Sequence, residues 1–175
     1  MNLNNNSASV GRFNAYEIAS VGIAIAMVFV ATAFVNIRLP IAANGGLIHL
    51  GNVPLFLTSC YLGKRTGMLA GAFGMAFFDL MGGWVLWAPF TFVIVGAIGY
   101  AFGTIYNQRR DFAGYVLAVL AALVIKIVGY YVAEGIIYGN WIAPAMSIYG
   151  NTVQIMAAAI ISYPALKVLG SKNNK

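Results

Sequence analysis

Apolar residues in this chain fall into long, charge-poor runs separated by short polar breaks. Five such runs stand out, and the intervals leave room for one or two shorter ones. The first, residues 16–35, matches the ~20 residues a helix needs to cross a bilayer core. It is too long for a signal-peptide core and lacks a cleavage site, so it reads as a retained helix. Further runs follow at residues 53–62, 67–81, 89–106, 112–137 and 143–168. The second and third are short, and Gly63-Lys64-Arg65-Thr66-Gly67 between them reads as a tight basic turn. A re-entrant hairpin would bury Lys64 and Arg65 in hydrocarbon at roughly 2.5 kcal/mol or more each, so two short spans are the better reading. The pattern predicts an all-α integral membrane protein with six transmembrane helices over residues 16–168, a polar segment 1–15 before them and a basic tail 169–175 after them.

The longest polar break, residues 36–54, holds two prolines, three glycines, three asparagines, Arg38 and the single histidine, His49. Pro40 and Pro54 discourage helix, and Gly45-Gly46 frees the backbone. A connection of this kind is an ordinary surface loop or one that contacts a ligand. Helix 1 carries small residues at four-residue spacing, Ala15/Ala19, Ser20/Ala24 and Gly22/Ala26, which let another helix approach from inside the chain or from a partner. Gly96, Gly99 and Gly103 offer a similar face on the fourth helix.

Composition sharpens the class. The chain is 61% hydrophobic and 8% charged, with a mean hydropathy of +0.83, outside the globular range. Its net charge of +6 is scattered in small groups between apolar runs, which excludes a nucleic-acid face. With six spans, Arg12, Lys64, Arg65, Arg109, Arg110, Lys167, Lys172 and Lys175 fall on one side, Arg38 alone on the other, and Lys126 inside helix 5. The positive-inside rule then makes both termini cytoplasmic. It puts the 36–54 connection outside, beside the turns around Trp84/Trp87 and Tyr138–Trp141. The lone Cys60 excludes an internal disulfide and reads as a small buried hydrophobe.

A charge inside a membrane segment is costly and is a functional hypothesis by default. Asp79, Lys126 and Glu134 are the three candidates. Lys126, Tyr130 and Glu134 share one helix face at i, i+4, i+8, and Ser147, Asn151 and Gln154 share another at i, i+4, i+7. Polar groups of both signs among aromatic rings suit a small, polar, ring-containing solute. The structural alternative is that Lys126 pairs with Glu134 or Asp79 and that Asn151 and Gln154 bond helices together. His49 has no second ligand at metal spacing, so no metal site is expected, and it reads as a hydrogen-bonding or turn-supporting residue. The chain holds no catalytic constellation and no P-loop, so any energy source is a gradient or a partner. A secondary transporter with Asp79, Lys126 and Glu134 as a proton relay is the rival reading, though no internal repeat supports it.

The motifs together resemble a known family. Ile37-Arg38-Leu39-Pro40, Gly46-Leu47-Ile48-His49-Leu50-Gly51-Asn52-Val53-Pro54 and Leu62-Gly63-Lys64-Arg65-Thr66-Gly67 look like the S component of an energy-coupling factor (ECF) vitamin transporter. So do Trp87-Ala88-Pro89-Phe90, Gly129-Tyr130-Tyr131-Val132-Ala133-Glu134 with Tyr138-Gly139, and Gly150-Asn151 with Gln154. The chain looks most like the hydroxymethylpyrimidine or pyridoxine branch, with pantothenate close behind. The resemblance implies a multi-pass plasma-membrane subunit without enzyme activity or cofactor. Its partners would be a transmembrane coupling subunit and two cytoplasmic ATPases. It implies a vitamin site near the outer surface, covered by the loop between helices 1 and 2 and lined by helices 4, 5 and 6. The residues expected to fill that site here are Asn44 and His49 in the lid, Trp84 and Trp87 at the rim, Lys126, Tyr130 and Glu134 on helix 5, and Asn151 and Gln154 on helix 6. The resemblance also implies docking on the coupling subunit through Ala19, Ser20, Gly22, Ala24 and Ala26. Lys126 departs from the family pattern, which has an apolar residue there, and points to a ligand with an acidic or phenolic group.

Overall fold

The computed structural model describes residues 14–38 and 47–172. They form α1 (Ala15–Phe34), β1 (Asn36–Arg38), β2 (Leu47–His49), α2 (Asn52–Tyr61), α3 (Lys64–Met81), α4 (Ala88–Gln108), α5 (Phe112–Tyr138), a 3-10 turn (Ala143–Met146) and α6 (Ser147–Lys172). Local chemistry sets several boundaries. Asn14 and Glu17 make a reciprocal capping box at the start of α1 at 2.8 and 2.9 Å. The Asp111 carboxylate caps α5 by accepting from the Gly114 amide at 2.7 Å, and Gly139 ends that helix in the left-handed region at φ 61°.

Four of the helices, at residues 15–34, 88–108, 112–138 and 143–168 with the 3-10 turn included, are long and apolar enough to cross a membrane. Their outer surfaces suit lipid: Val116, Leu120, Val124, Val128, Val132 and Ile136 form an exposed apolar stripe along α5 at four-residue intervals. The other two helices fall short of that measure for different reasons. α3 has 18 residues but carries Lys64, Arg65 and Asp79, while α2 has only 10 residues, about 15 Å of helix.

Three expectations change. The chain is nearly but not wholly α-helical, because the 36–54 connection contains an antiparallel hairpin in which Asn36 pairs with His49 and Arg38 with Leu47. Lys64 and Arg65 are not in a turn. They open α3, and Gly63, at φ 90°, makes the reversal alone. The sixth helix proper starts at Ser147, after the 3-10 turn around Pro144.

The helices pack around two distinct ends. At one end Phe56 stacks on Phe102 with ring centroids 4.0 Å apart, and Tyr115 meets Phe102 edge-on. The Tyr115 hydroxyl donates to the Ala159 carbonyl at 2.7 Å, and the Tyr61 hydroxyl donates to the Leu166 carbonyl at 3.0 Å. That end is closed by aromatic packing. Backbones meet closely between α3 and α4, where a Cβ on Gly99 would run into the Gly67 carbonyl and one on Gly103 would lie 2.8 Å from the Lys64 Cα. On α1, Ala19, Gly22 and Ala26 face outward and Ser20 is half-buried. Ala24 is fully buried within the chain, which removes it from the expected docking face. The opposite end, where α1, α3 and α5 finish and α4 and α6 begin, is where the polar residues gather.

Candidate functional site

At that open end lies a cavity of about 320 Å³. The hairpin contributes Leu47 and His49, the turn before α4 contributes Trp84 and Trp87, α5 contributes Lys126, Tyr130 and Glu134, and α6 contributes Asn151 and Gln154. Thus all the sequence-selected site residues among the described ones converge on one space. Asn44 lies outside the described residues. The convergence follows from helix periodicity: Lys126, Tyr130 and Glu134 sit one turn apart on α5, so one inward face carries all three.

Burial and hydrogen bonding set the cavity's character. Lys126 is 1% exposed and Glu134 3%, in the middle and at the end of a helix whose outer face is apolar. The Lys126 ammonium lies over the Tyr130 ring, 5.3 Å from its centroid. The Tyr130 hydroxyl is held by Thr91 at 3.1 Å, which ties α5 to α4. Trp84 and Trp87 meet edge-to-face with centroids 5.4 Å apart, and Trp87 continues to Tyr138 at 5.9 Å. A flat ring entering this space meets aromatic faces at the rim and charges of both signs deeper in.

Gln154 joins the hairpin to the bundle, its Nε2 donating to the Leu47 carbonyl at 2.6 Å. His49 supports the turn into α2, its Nδ1 accepting from the Gly51 amide at 3.3 Å. Burial, with the Lys126 charge second, pushes the His49 imidazole down from 6.5 to about 3. Between those values the unfolded chain binds a proton that the folded chain does not, so stability is full above pH 6.5 and falls as the pH drops toward 3. Thermal or denaturant melts should lose roughly 1.4 kcal/mol per pH unit below 6.5. His49→Asn, which keeps an acceptor for the Gly51 amide, should flatten that slope.

The ECF-type riboflavin transporter S component family model matches residues 12–171. The chain belongs to this S-component family. A thiamine precursor transporter, HmpT, of Lactococcus lactis subsp. cremoris (strain MG1363) is 24% identical over 149 residues, covering 85% of this chain and 84% of that protein. An uncharacterized protein of Pyrococcus woesei is 29% identical over 125 residues, covering 71% of this chain and 83% of its relative. The solved structure titled "Structure and mechanism of the S component of a bacterial ECF transporter" has the same fold. It superposes with a TM-score of 0.72 at 15% identity, covering 91% of this chain and 98% of that one. The S component is accordingly a multi-pass membrane protein of vitamin uptake rather than an enzyme.

Several lining residues of this S component escape a reading of polar outliers. Asp79 stands out in the sequence as a membrane charge and a possible pairing partner of Lys126, but not as a site residue; the structure lines one cavity with both. Met75 and Phe78 line it too, at i−4 and i−1 from Asp79, so the helical face through Asp79 was the available signal. Thr32 and Thr91, 1% and 2% exposed, are buried hydroxyls at helix ends that carry no sequence mark of their own. Tyr131, beside the α5 face, turns away to bond the Trp141 carbonyl.

Proposed function

We propose that this S component captures a single-ring vitamin or vitamin precursor, hydroxymethylpyrimidine or pyridoxine, in the cavity beneath the hairpin. The observation that supports the reading is the meeting of Lys126, Tyr130, Glu134, Asn151, Gln154 and the tryptophan pair in one space. At about 320 Å³ that space is at the small end of ligand sites, which run from roughly 300 to 1,000 Å³ and bury most of their ligand. A single ring with polar substituents fills it better than a tricyclic one. Two carboxylates, Asp79 and Glu134, against one ammonium favour a ligand that donates hydrogen bonds over an anion such as pantothenate. The Lactococcus relative, a thiamine precursor transporter, points the same way.

The chain crosses the membrane six times with both termini cytoplasmic, and the cavity end faces outward. α2 makes one of these crossings, with the hairpin over its outer end. Tyr61 bonds Leu166 and Leu47 bonds Gln154, so this segment runs beside α6 for 12 residues of that helix, about 18 Å, with irregular backbone shielded by protein. The exposed small residues of α1, Ala19, Gly22 and Ala26 with Ser20 at their edge, dock on a transmembrane coupling subunit. Two cytoplasmic ATPases supply the energy, and the loaded S component topples to release its ligand inside.

The test is a ligand panel on the purified chain without ATP. Hydroxymethylpyrimidine or pyridoxine at 100 times its Kd should stabilise the fold by about 2.7 kcal/mol in a thermal melt and give a calorimetric isotherm. Stabilisation by riboflavin, thiamine or pantothenate alone moves the site to that ligand. Silence across the panel overturns the reading.

A further inference from the structure

Gln154 is engaged at one end only. Its Nε2 donates to the Leu47 carbonyl in β2 at 2.6 Å. A carbonyl can only accept, so the nitrogen end of the amide must face the hairpin, and this fixes where the oxygen end goes. That oxygen, Oε1, is buried without a hydrogen-bond partner in the protein, on a side chain 5% exposed that lines the cavity. Asp79 Oδ2, from α3, is a second buried acceptor lining the same space, with the Thr91 hydroxyl beside its carboxyl group. Leaving such an acceptor unmet costs about 1–3 kcal/mol, so the cavity is set up for N–H donors arriving from inside it.

The two ends of one amide are mechanically joined. A glutamine carries rotamer freedom worth up to ~2 kcal/mol, and whatever pins one end lowers the cost of holding the other. An amide whose oxygen accepts a hydrogen bond also donates more strongly through its nitrogen. Any such coupling is reciprocal: a docked hairpin orients Oε1 for the ligand, and a ligand on Oε1 holds the hairpin down.

We propose that Gln154 is a two-ended positioning residue: its amide nitrogen holds β2 against α6, and its amide oxygen accepts an N–H from the bound ring. The ligand class this selects is a nitrogen heterocycle with an exocyclic amino group, which thereby fastens the hairpin over itself. The inference rests on the ligand cavity proposed above, but its hairpin half needs no ligand.

Two measurements separate the halves. In the empty chain, Gln154→Met should speed hydrogen exchange of the amides around the hairpin, including Leu50, which bonds the Val35 carbonyl, by about ten-fold. Unchanged exchange overturns the nitrogen end. With 4-amino-5-hydroxymethyl-2-methylpyrimidine and its analogue lacking the amino group, the unaltered chain should release the amino ligand about ten-fold or more slowly. Gln154→Met should erase that ratio, and a ratio that survives overturns the oxygen end. Gln154→Glu keeps an acceptor but, when ionised, no donor. It should therefore combine fast hairpin exchange with retained discrimination, a split that a merely structural residue would not give and that guards against misfolding of the methionine variant. If the unaltered chain binds neither pyrimidine, the oxygen end and the choice of ligand fall together, while the exchange result still decides the nitrogen end.

Discussion

Lys126→Met should weaken vitamin binding about 10- to 100-fold and leave the chain folded. The residue sits midway along α5, 1% exposed, with its ammonium against the Tyr130 ring and in the same cavity as Asp79 and Glu134. A charge held there costs several kcal/mol of desolvation, which packing alone gives no reason to retain. Methionine has a similar length and no charge, so it fills the channel of the lysine stem. Losing the buried cation relieves its desolvation, while losing the counter-charge to the carboxylates works the other way. The two effects oppose, so the melting temperature should move by only a few degrees. On the proposed reading binding has no such compensation, because a charge-assisted contact to a desolvated ligand is worth about 1.5–3 kcal/mol. Calorimetry on monodisperse Lys126→Met protein decides the point: an unchanged Kd makes Lys126 a structural residue and removes it from the site.

Gly99→Leu should prevent the chain from folding, with a cost above about 4 kcal/mol. The first carbon of any side chain at Gly99 would overlap the Gly67 carbonyl, and the α3 backbone has no room to retreat because Gly67 is itself pressed against Ser59 of α2, its own Cβ position lying 2.8 Å from the Ser59 Cα. Three helices are therefore stacked backbone-to-backbone through two glycines, and a leucine at one of them must drive α3 and α4 apart. In lipid, where close packing rather than water exclusion holds helices together, that separation is not recovered elsewhere. Gly22→Leu is the internal comparison. A Cβ at Gly22 meets nothing within 4 Å, on the outward face of α1. That variant should purify, melt and bind ligand like the parent, and lose only the association with its coupling subunit. Recovery of well-folded Gly99→Leu protein by size-exclusion chromatography would refute the close-packing account.

Those two glycines also mark what could be read in advance. Long apolar runs gave the helices because hydrophobicity sustained over ~20 residues suits little besides a membrane span. Polar side chains inside those runs gave the cavity, because burying them in lipid is expensive enough that they must face one another. What stayed hidden is cheap by the same measure. Strands of three residues carry no periodicity, so the hairpin was invisible. Lys64 and Arg65 looked like turn residues because charges usually end a span, yet a single glycine with positive φ makes the turn and leaves them free to begin α3. Ala24 differs from Ala19 and Ala26 only in the direction it faces, and alanine spacing says nothing about which neighbour a helix will choose. Met75 and Phe78 are ordinary apolar residues whose presence in the site depends on Asp79 pointing the same way.

The brevity of α2 bears on how the chain is made. Under the proposed six-span topology, ten residues cannot be handed to the bilayer as an independent segment during synthesis, and α2 enters paired with α3 across the Gly63 reversal. Its lasting anchors, Leu166 for Tyr61 and Gln154 for Leu47, lie 105 and 107 positions further along and emerge from the ribosome later. Until α6 arrives, the short helix and the hairpin have neither of these anchors, and the roof of the cavity cannot close before that helix is made.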